Sequence, residues 1–319
     1  MTTRNPVVSV VIPAYNRAAS VGEAIQSVLR QTYSDFELLV VDDCSTDGTR
    51  DEVRKISDRR VTLLESPRRL GPAGARNQGI AHARGAWIAF QDSDDEWLPR
   101  KLEMQMKRLT APDTNYVGSY CGLLALDEPE EAPGSRLTPH YVPEPWLRPL
   151  EGDILPTLLR RNVISTQTLV IRRQVMARQD YFDPDTTPVE DWDLALSLAQ
   201  LGPISFIDEP LVLKRLSPDS ISLDSCRSLS ARKRVLEKHM DVFQRYPGAL
   251  ALQYFILAGG YRRKGDLAQA RQYLASARET APWSPKFWVQ SLRVAALDTL
   301  SSLGVYPSPG VRPDKRPSK

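Results

Sequence analysis

Over its first hundred residues the chain alternates short β-branched runs with amphipathic stretches, and that rhythm admits few folds. Val7 to Ile12 is β-branched and ends at Pro13, which predicts a buried strand. Val21, Ile25, Val28 and Leu29 then recur at helical spacing, predicting an amphipathic helix over residues 21–31. Phe36 to Val41, Val61 to Leu64 and Trp87 to Phe90 read as three further strands. Helices are expected around 50–56 and 71–82, the second with Pro72 in its first turn. This order predicts an α/β fold whose mostly parallel central sheet is covered by helices on both faces.

In such sheets ligands bind beyond the carboxyl ends of the strands. Here those ends are polar: Pro13-Ala14-Tyr15-Asn16, then Asp42-Asp43, then Asp92-Ser93-Asp94-Asp95. Asp92 and Asp94 leave one strand end close together, and like charges that close repel unless a positive group lies between them. A hard divalent cation with a preference for oxygen, Mg2+ or Mn2+, suits that position. An acidic turn ahead of the helix beginning near Pro99 is the plainer alternative. No glycine-rich dinucleotide turn follows the first strand and no P-loop lysine motif occurs, which disfavours the common nucleotide-binding folds.

Composition narrows the partners. A net charge of +3 over 319 residues argues neither for nucleic acid nor for an acidic partner. Cys44, Cys121 and Cys226 lack the spacing of a disulfide framework or a zinc site. The N-terminal apolar run is too short for a signal peptide, and no stretch approaches the roughly 18 apolar residues of a membrane span. The expectation is a soluble, cytosolic protein.

Several blocks in fixed order then resemble family 2 glycosyltransferases. They are Val8-Ser9-Val10-Val11-Ile12-Pro13-Ala14-Tyr15-Asn16, Ser27-Val28-Leu29-Arg30-Gln31-Thr32-Tyr33, Val40-Val41-Asp42-Asp43-Cys44-Ser45-Thr46-Asp47-Gly48-Thr49 and Gly74-Ala75-Arg76-Asn77-Gln78-Gly79-Ile80. The resemblance is densest over residues 6–110 and resumes near Glu190. It implies the GT-A fold and an inverting transferase that uses a nucleotide-diphosphate sugar and Mg2+ or Mn2+. Carried over, it places Pro13, Tyr15 and Asn16 beside the nucleobase, with Asp43 accepting a hydrogen bond from the base. A capping carboxylate is the alternative for Asp43. Arg76 would lie near the diphosphate or donor sugar, or else be an ordinary helix-surface arginine. Asp92 would hold ribose or sugar hydroxyls, and Asp94 would ligate the metal. Ser165-Thr166-Gln167 is a further stretch within reach of the donor sugar, or a plain lead-in to a strand at 168–171.

Glu190-Asp191-Trp192-Asp193-Leu194 opens a helix, because Trp192, Ala195, Leu196 and Ala199 recur at helical spacing. Acids in a first turn are favoured by the helix dipole alone. The matching family block makes Asp191 the general base, with Glu190 gripping hydroxyls and Trp192 walling the sugar pocket or anchoring the helix. The helix start is expected to keep the Asp191 carboxylate ionised, with little shift toward neutrality. Where many relatives carry a histidine after the strand ending Lys214-Arg215, this chain continues Leu216-Ser217-Pro218-Asp219-Ser220. Metal binding is therefore expected to rest on Asp94, the diphosphate and water, with Lys214 or Arg215 either available to phosphate or plain surface charges at the strand end.

Domain boundaries are expected near 224 and 305. Residues 1–224 form the transferase domain, 225–305 an all-helical extension containing one tetratricopeptide-like pair, and 306–319 a disordered tail. The proline-rich stretch from 127 to 149 is expected to be a mobile or acceptor-facing loop. Trp283, Phe287, Trp288 and Leu292 are expected to line a core face, with contact to the inner face of a membrane or to a protein partner as the alternative. The functional expectation is transfer from a nucleotide-diphospho-sugar, UDP-linked by resemblance, to a glycan or glycolipid acceptor in surface-polysaccharide synthesis. The rival expectation is a nucleotide-sugar-binding scaffold without catalysis.

Overall fold

A computed structural model describes residues 5–127, 138–144, 146–176, 181–215, 225–289 and 291–292. The acidic loop at 128–135, the Leu216-Ser220 stretch and the 306–319 tail lie outside the described residues. The chain forms two compact units, Met1–Leu223 and Asp224–Lys319.

The first unit is α/β. Strands β1 (Val8–Ala14), β2 (Phe36–Asp42), β3 (Val61–Glu65) and β4 (Trp87–Phe90) alternate with helices α1 (Val21–Leu29), α2 (Thr49–Arg54) and α3 (Gly71–His82). All residues of β2 and β4 are buried, as expected of strands covered on both faces. There follow β5 (Glu96–Trp97), α4 (Lys101–Leu109), β6 (Gly118–Asp127), β7 (Thr138–Val142), α5 (Leu155–Leu158), β8 (Val170–Arg172), α6 (Glu190–Ala199) and β9 (Ile204–Arg215). The order across the sheet is β3-β2-β1-β4-β8-β6-β9-β5, with β7 paired to β6.

The sheet is mixed and mostly parallel. β3, β2, β1 and β4 run parallel, as do β6 and β9, while β8 is antiparallel to both β4 and β6. That reversal is functional geometry. The carboxyl end of β4 and the chain entering β8 fall at the same edge, so a turn of 3-10 helix at Thr166–Thr168 sits beside the acids that follow Phe90. The strand expected at 168–171 therefore starts two residues later. Likewise the expected loop between 127 and 149 contains β7, which is held by antiparallel pairing from Leu123–Val142 to Asp127–Thr138.

A buried polar network fixes this edge. Lys101 is fully buried, with Nζ 2.8 Å from Gln105 Oε1 and 3.9 Å from the centre of the Trp97 ring. Burial lowers its pKa to about 8. Gln105 donates in turn to the carbonyls of Ser119 and Thr168, and the Trp97 indole donates to the Gln167 carbonyl at 3.0 Å. The 3-10 turn is thus tied by its backbone to α4 and β6. No periodicity in the sequence marks this arrangement.

The second unit is helical: α7 (Ser225–Lys238), α8 (Met240–Gln244), α9 (Pro247–Arg263) and α10 (Leu267–Thr280). Between α9 and α10 the chain turns at Gly265 with φ +83, and Asp266 caps α10 by accepting from the Gln269 amide. Ala258, Leu267, Ala270 and Leu274 form one apolar seam of the pair, and Ala251, Ala277, Ala281 and Phe287 another. No strand occurs beyond residue 230 among the described residues.

Helix α3 lies unusually close to the sheet. A Cβ on Gly79 would stand 2.4 Å from Val11 Cγ1 and 3.2 Å from Val41 Cγ2, and both valines are fully buried. Replacing a mid-helix glycine by alanine gains about 1 kcal/mol of helix propensity, but overpacking costs about 1–3 kcal/mol. Gly79→Ala is expected to lower the denaturation midpoint, and adding Val11→Ala should recover part of the loss. A stabilised single variant in a urea titration would contradict this packing.

Candidate active site

The carboxyl ends of β1, β2 and β4 and the chain before β8 and α6 surround one cavity of about 490 Å³. Its lining includes Pro13, Tyr15, Asn16, Asp43, Arg76, Asp92, Asp94, Glu190 and Asp191. Residues almost 180 positions apart thus meet at one sheet edge. Ser165, Thr166 and Gln167 also line it.

Asp43 sits just past β2 and is 3 % exposed. Its two oxygens accept from the backbone amides of Leu70 at 2.6 Å and Gly71 at 2.9 Å. It therefore holds the start of α3, while also facing the cavity with its remaining lone pairs. The capping alternative is realised, though at α3 and not at the Ser45-Thr46-Asp47 turn. That turn is held by Asp42, which accepts from the Ser45 amide, and by Asn16, whose Oδ1 accepts from the Thr46 amide at 2.9 Å. Asn16 adopts φ 52 to do so, a conformation Asn tolerates better than most residues. Beside it the Tyr15 ring is covered by the Arg69 guanidinium at 3.8 Å.

Arg76 is no surface arginine. It projects from α3 into the cavity wall, 6 % exposed, and pairs with Asp92 Oδ1 at 2.8 Å and Glu190 Oε1 at 2.9 Å. Burial opposes its charge, but the two carboxylates outweigh that and raise its pKa. Its Nε and the second oxygen of Glu190 are buried without a hydrogen-bond partner. The neighbouring Asn77 bonds both the carbonyl of Phe182 at 2.7 Å and its amide at 3.0 Å, so α3 also pins the chain leading into α6.

The acids past β4 occupy different environments. Burial, and next the charge of Asp92, raise the pKa of Asp94, while Arg17 Nε at 3.5 Å works the other way. Asp95 is nearly inaccessible, and burial with its two acidic neighbours raises it well above the carboxylate range. One Asp95 oxygen accepts from the Arg215 amide at 3.1 Å; the other has no partner. Asp95 is thus a tie between the β4 and β9 ends.

At the start of α6, Asp191 is desolvated by the surrounding protein, and the charge of Glu190 adds to that effect, so its pKa is pushed up to about 7. This corrects the expectation that the helix start alone would keep it near an ordinary carboxylate. The dipole of a ten-residue helix contributes about 1 kcal/mol, less than burial costs a charge in such a place. Trp192 does not line the cavity. It is 2 % exposed and its indole donates to the Leu158 carbonyl at 2.7 Å, so of its two expected roles the structure supports the anchor.

Arg17, Arg69 and Lys214 bring positive charge to the same cavity. Lys214 lowers the pKa of Asp94, Asp95 and Asp191. Arg17 and Arg69 were not among the residues expected at the site. Arg17 directly follows the polar end of β1, and that adjacency was the available signal. Gln167 is 1 % exposed and its Nε2 has no partner, although its backbone is firmly held. It is thus an unpartnered buried donor in the cavity lining.

Known proteins share this architecture. WfgD of Escherichia coli, a UDP-Glc:α-D-GlcNAc-diphosphoundecaprenol β-1,3-glucosyltransferase, is 33% identical over 257 residues, which is 79% of this chain and 91% of that protein. The crystal structure of S. aureus TarS 1-349 with UDP-GlcNAc superposes with a TM-score of 0.67 at 16% identity, covering 94% of this chain and 93% of that one. The mannosyltransferase PcManGT of Pyrobaculum calidifontis, in complex with GDP-Man and Mn2+, gives 0.59 at 21% identity, covering 96% and 82%. These two structural likenesses show a common GT-A fold. The family profile described as Glycosyl transferase family 2 matches residues 9–131, across the strand ends that build the cavity. With that match and the extent of the likeness to WfgD, the chain belongs to glycosyl transferase family 2, among relatives of cell-surface polysaccharide biosynthesis.

Proposed function

We propose that this chain is an inverting transferase that moves a sugar from a UDP-sugar to a hydroxyl of a lipid-linked glycan. The observation that carries the reading is Asp191. It is a desolvated carboxylate with a pKa near 7, in one cavity with Asp94 and a set of fixed cations. Such a group is basic enough to accept a proton yet still ionised at working pH. The UDP and lipid-linked parts of the proposal rest on WfgD, whose substrates are UDP-Glc and a GlcNAc-diphosphoundecaprenol.

The acceptor oxygen would bond to the anomeric carbon from the face opposite the diphosphate. The bond from that carbon to the diphosphate breaks, the electron pair leaves with the nucleotide, and the hydroxyl proton passes to Asp191. A single displacement inverts the centre, so an α-linked donor gives a β-linked product. Asp43 would accept from the uracil imide, Tyr15 and Pro13 would border the base, and Asp92 with Glu190 would hold sugar hydroxyls. Arg76 pairs with both carboxylates and holds them in place.

Asp94 fits a hard divalent cation. Such ions take one or two carboxylates and complete their shell with substrate phosphate and water. Among the described residues no three ligating side chains are grouped, so diphosphate oxygens would supply the rest. Mg2+ or Mn2+ held there would neutralise charge building on the leaving diphosphate. Arg17, Arg69 and Lys214 offer fixed charge to the same group.

Two outcomes are expected. Asp94→Ala should remove the Mn2+-dependent part of UDP-sugar binding, read by calorimetry with and without Mn2+, while the melting temperature changes little. Unchanged Mn2+ dependence would remove Asp94 from the metal site.

At Asp191 the expectation concerns pH as well as rate. Asp191→Asn should lower transfer by about 10²- to 10⁴-fold with donor affinity retained. Wild-type kcat/KM should climb tenfold per pH unit below about 7 and level off above it. Stability runs the other way. Because folding raises this pKa, the folded protein binds the proton more tightly, and its stability falls as pH rises from the ordinary carboxylate range through about 7. The Asn variant should therefore melt higher than wild type at pH 8, and the gap should close toward pH 4. A variant with nearly wild-type turnover would exclude Asp191 as the base; if Glu190→Gln alone abolished turnover, Glu190 would take that role.

A further inference from the structure

We infer that the helical unit carries a docking face for an anionic lipid bilayer, made by Trp283, Trp288, Val289 and Leu292 together with Arg278 and Lys286. The four apolar residues are 72, 50, 54 and 71 % exposed. Phe287, in the same stretch, is 3 % exposed and belongs to the core with Ala251, Ala277 and Ala281. The segment 285–292 is thus two-sided, with one aromatic holding it to α9 and α10 and its other large apolar groups facing outward. The expectation of a single core face is corrected to that extent.

Charge selects the occupant. The net charge of +3 conceals two opposite halves. Residues 1–224 contain 25 Lys or Arg against 33 Asp or Glu, whereas residues 225–292 contain twelve against four. Basic groups border the apolar face: the Arg278 guanidinium is 4.9 Å from the Trp288 ring, and the exposed Lys286, two residues before Trp288, keeps its Nζ 5.1 Å from the ring of the inward-facing Phe287. Trp288 donates its indole N–H to the Pro282 carbonyl, so its polar handle is satisfied. Tryptophans flanked by Lys and Arg are what the headgroup boundary of a bilayer accommodates. Val289 and Leu292 add aliphatic surface that acyl chains would cover and a nucleic acid would not. No described helix is long and apolar enough to cross a membrane, and a face of this kind lies on the surface. The inference stands on this unit alone and is independent of the transferase reading.

The test is flotation of the full chain with vesicles of phosphatidylglycerol and phosphatidylcholine in equal parts, beside vesicles of pure phosphatidylcholine. The chain should float with the anionic vesicles only and be released as salt rises. Trp283→Ala with Trp288→Ala should abolish flotation, as should Leu292→Ser, with thermal melts confirming the fold. Each basic residue near such a surface is worth roughly a fivefold gain in partitioning. Arg278→Gln with Lys286→Gln should therefore weaken binding by about 25-fold. Equal binding to both vesicle types, no binding, or flotation untouched by the tryptophan pair would each overturn the inference. So would loss of a dimer by that pair without any vesicle binding, which would assign the face to a second copy of the chain.

Discussion

The pairing of Arg76 with Asp92 and Glu190 is the interaction on which the site depends. Five carboxylates, from Asp92 to Asp95 and at Glu190 and Asp191, line the cavity from two distant parts of the chain. Left to themselves they would repel, and the cheapest relief would be to protonate or to move apart. A guanidinium is suited to hold two of them in place, since it stays charged when buried and bonds two acceptors in fixed directions. Breaking one arm of such a buried pair costs about 3–5 kcal/mol, because it strands a charge. Arg76 is therefore less a source of net stability than the reason the β4 end and the α6 start stay together.

The acids then diverge because their surroundings do. Asp92 shares the arginine, Asp94 faces Arg17, Asp95 is enclosed between strand ends, and Asp191 is desolvated beside Glu190. One residue type thereby occupies four electrostatic states within a single cavity. Division of labour among carboxylates requires such separation. Below them, the Lys101-Gln105-Trp97 network supports the 3-10 turn that brings Gln167 to the same space.

Much of this was legible in the sequence because hydrophobic period and strand-end polarity are local signals. β1 to β4 and α1 to α3 follow from them, and so does the gathering of Asp43, Asp92 and Asp94 at one edge. The antiparallel β8, the short β5 and the strand β7 inside a proline-rich stretch were not, because pairing partners far away decide them. Trp192 could not be assigned to pocket or core from helical spacing alone. The Asp191 environment departs from its expectation for a related reason: helix position is visible in sequence, whereas desolvation by distant segments is not. The division of charge between the two halves was countable from the start, but a whole-chain average hides it.

The capping of α3 by Asp43 has an evolutionary corollary. The carboxylate proposed to meet the nucleobase is also the hook from which α3 hangs, through the amides of Leu70 and Gly71. Arg76 lies only five residues further along that helix. Exchanging Asp43 to suit another nucleobase would loosen the helix start and shift the guanidinium that gathers the acids. The Gln167 side chain, by contrast, anchors no helix, so the part of the cavity wall it lines can change without disturbing α3.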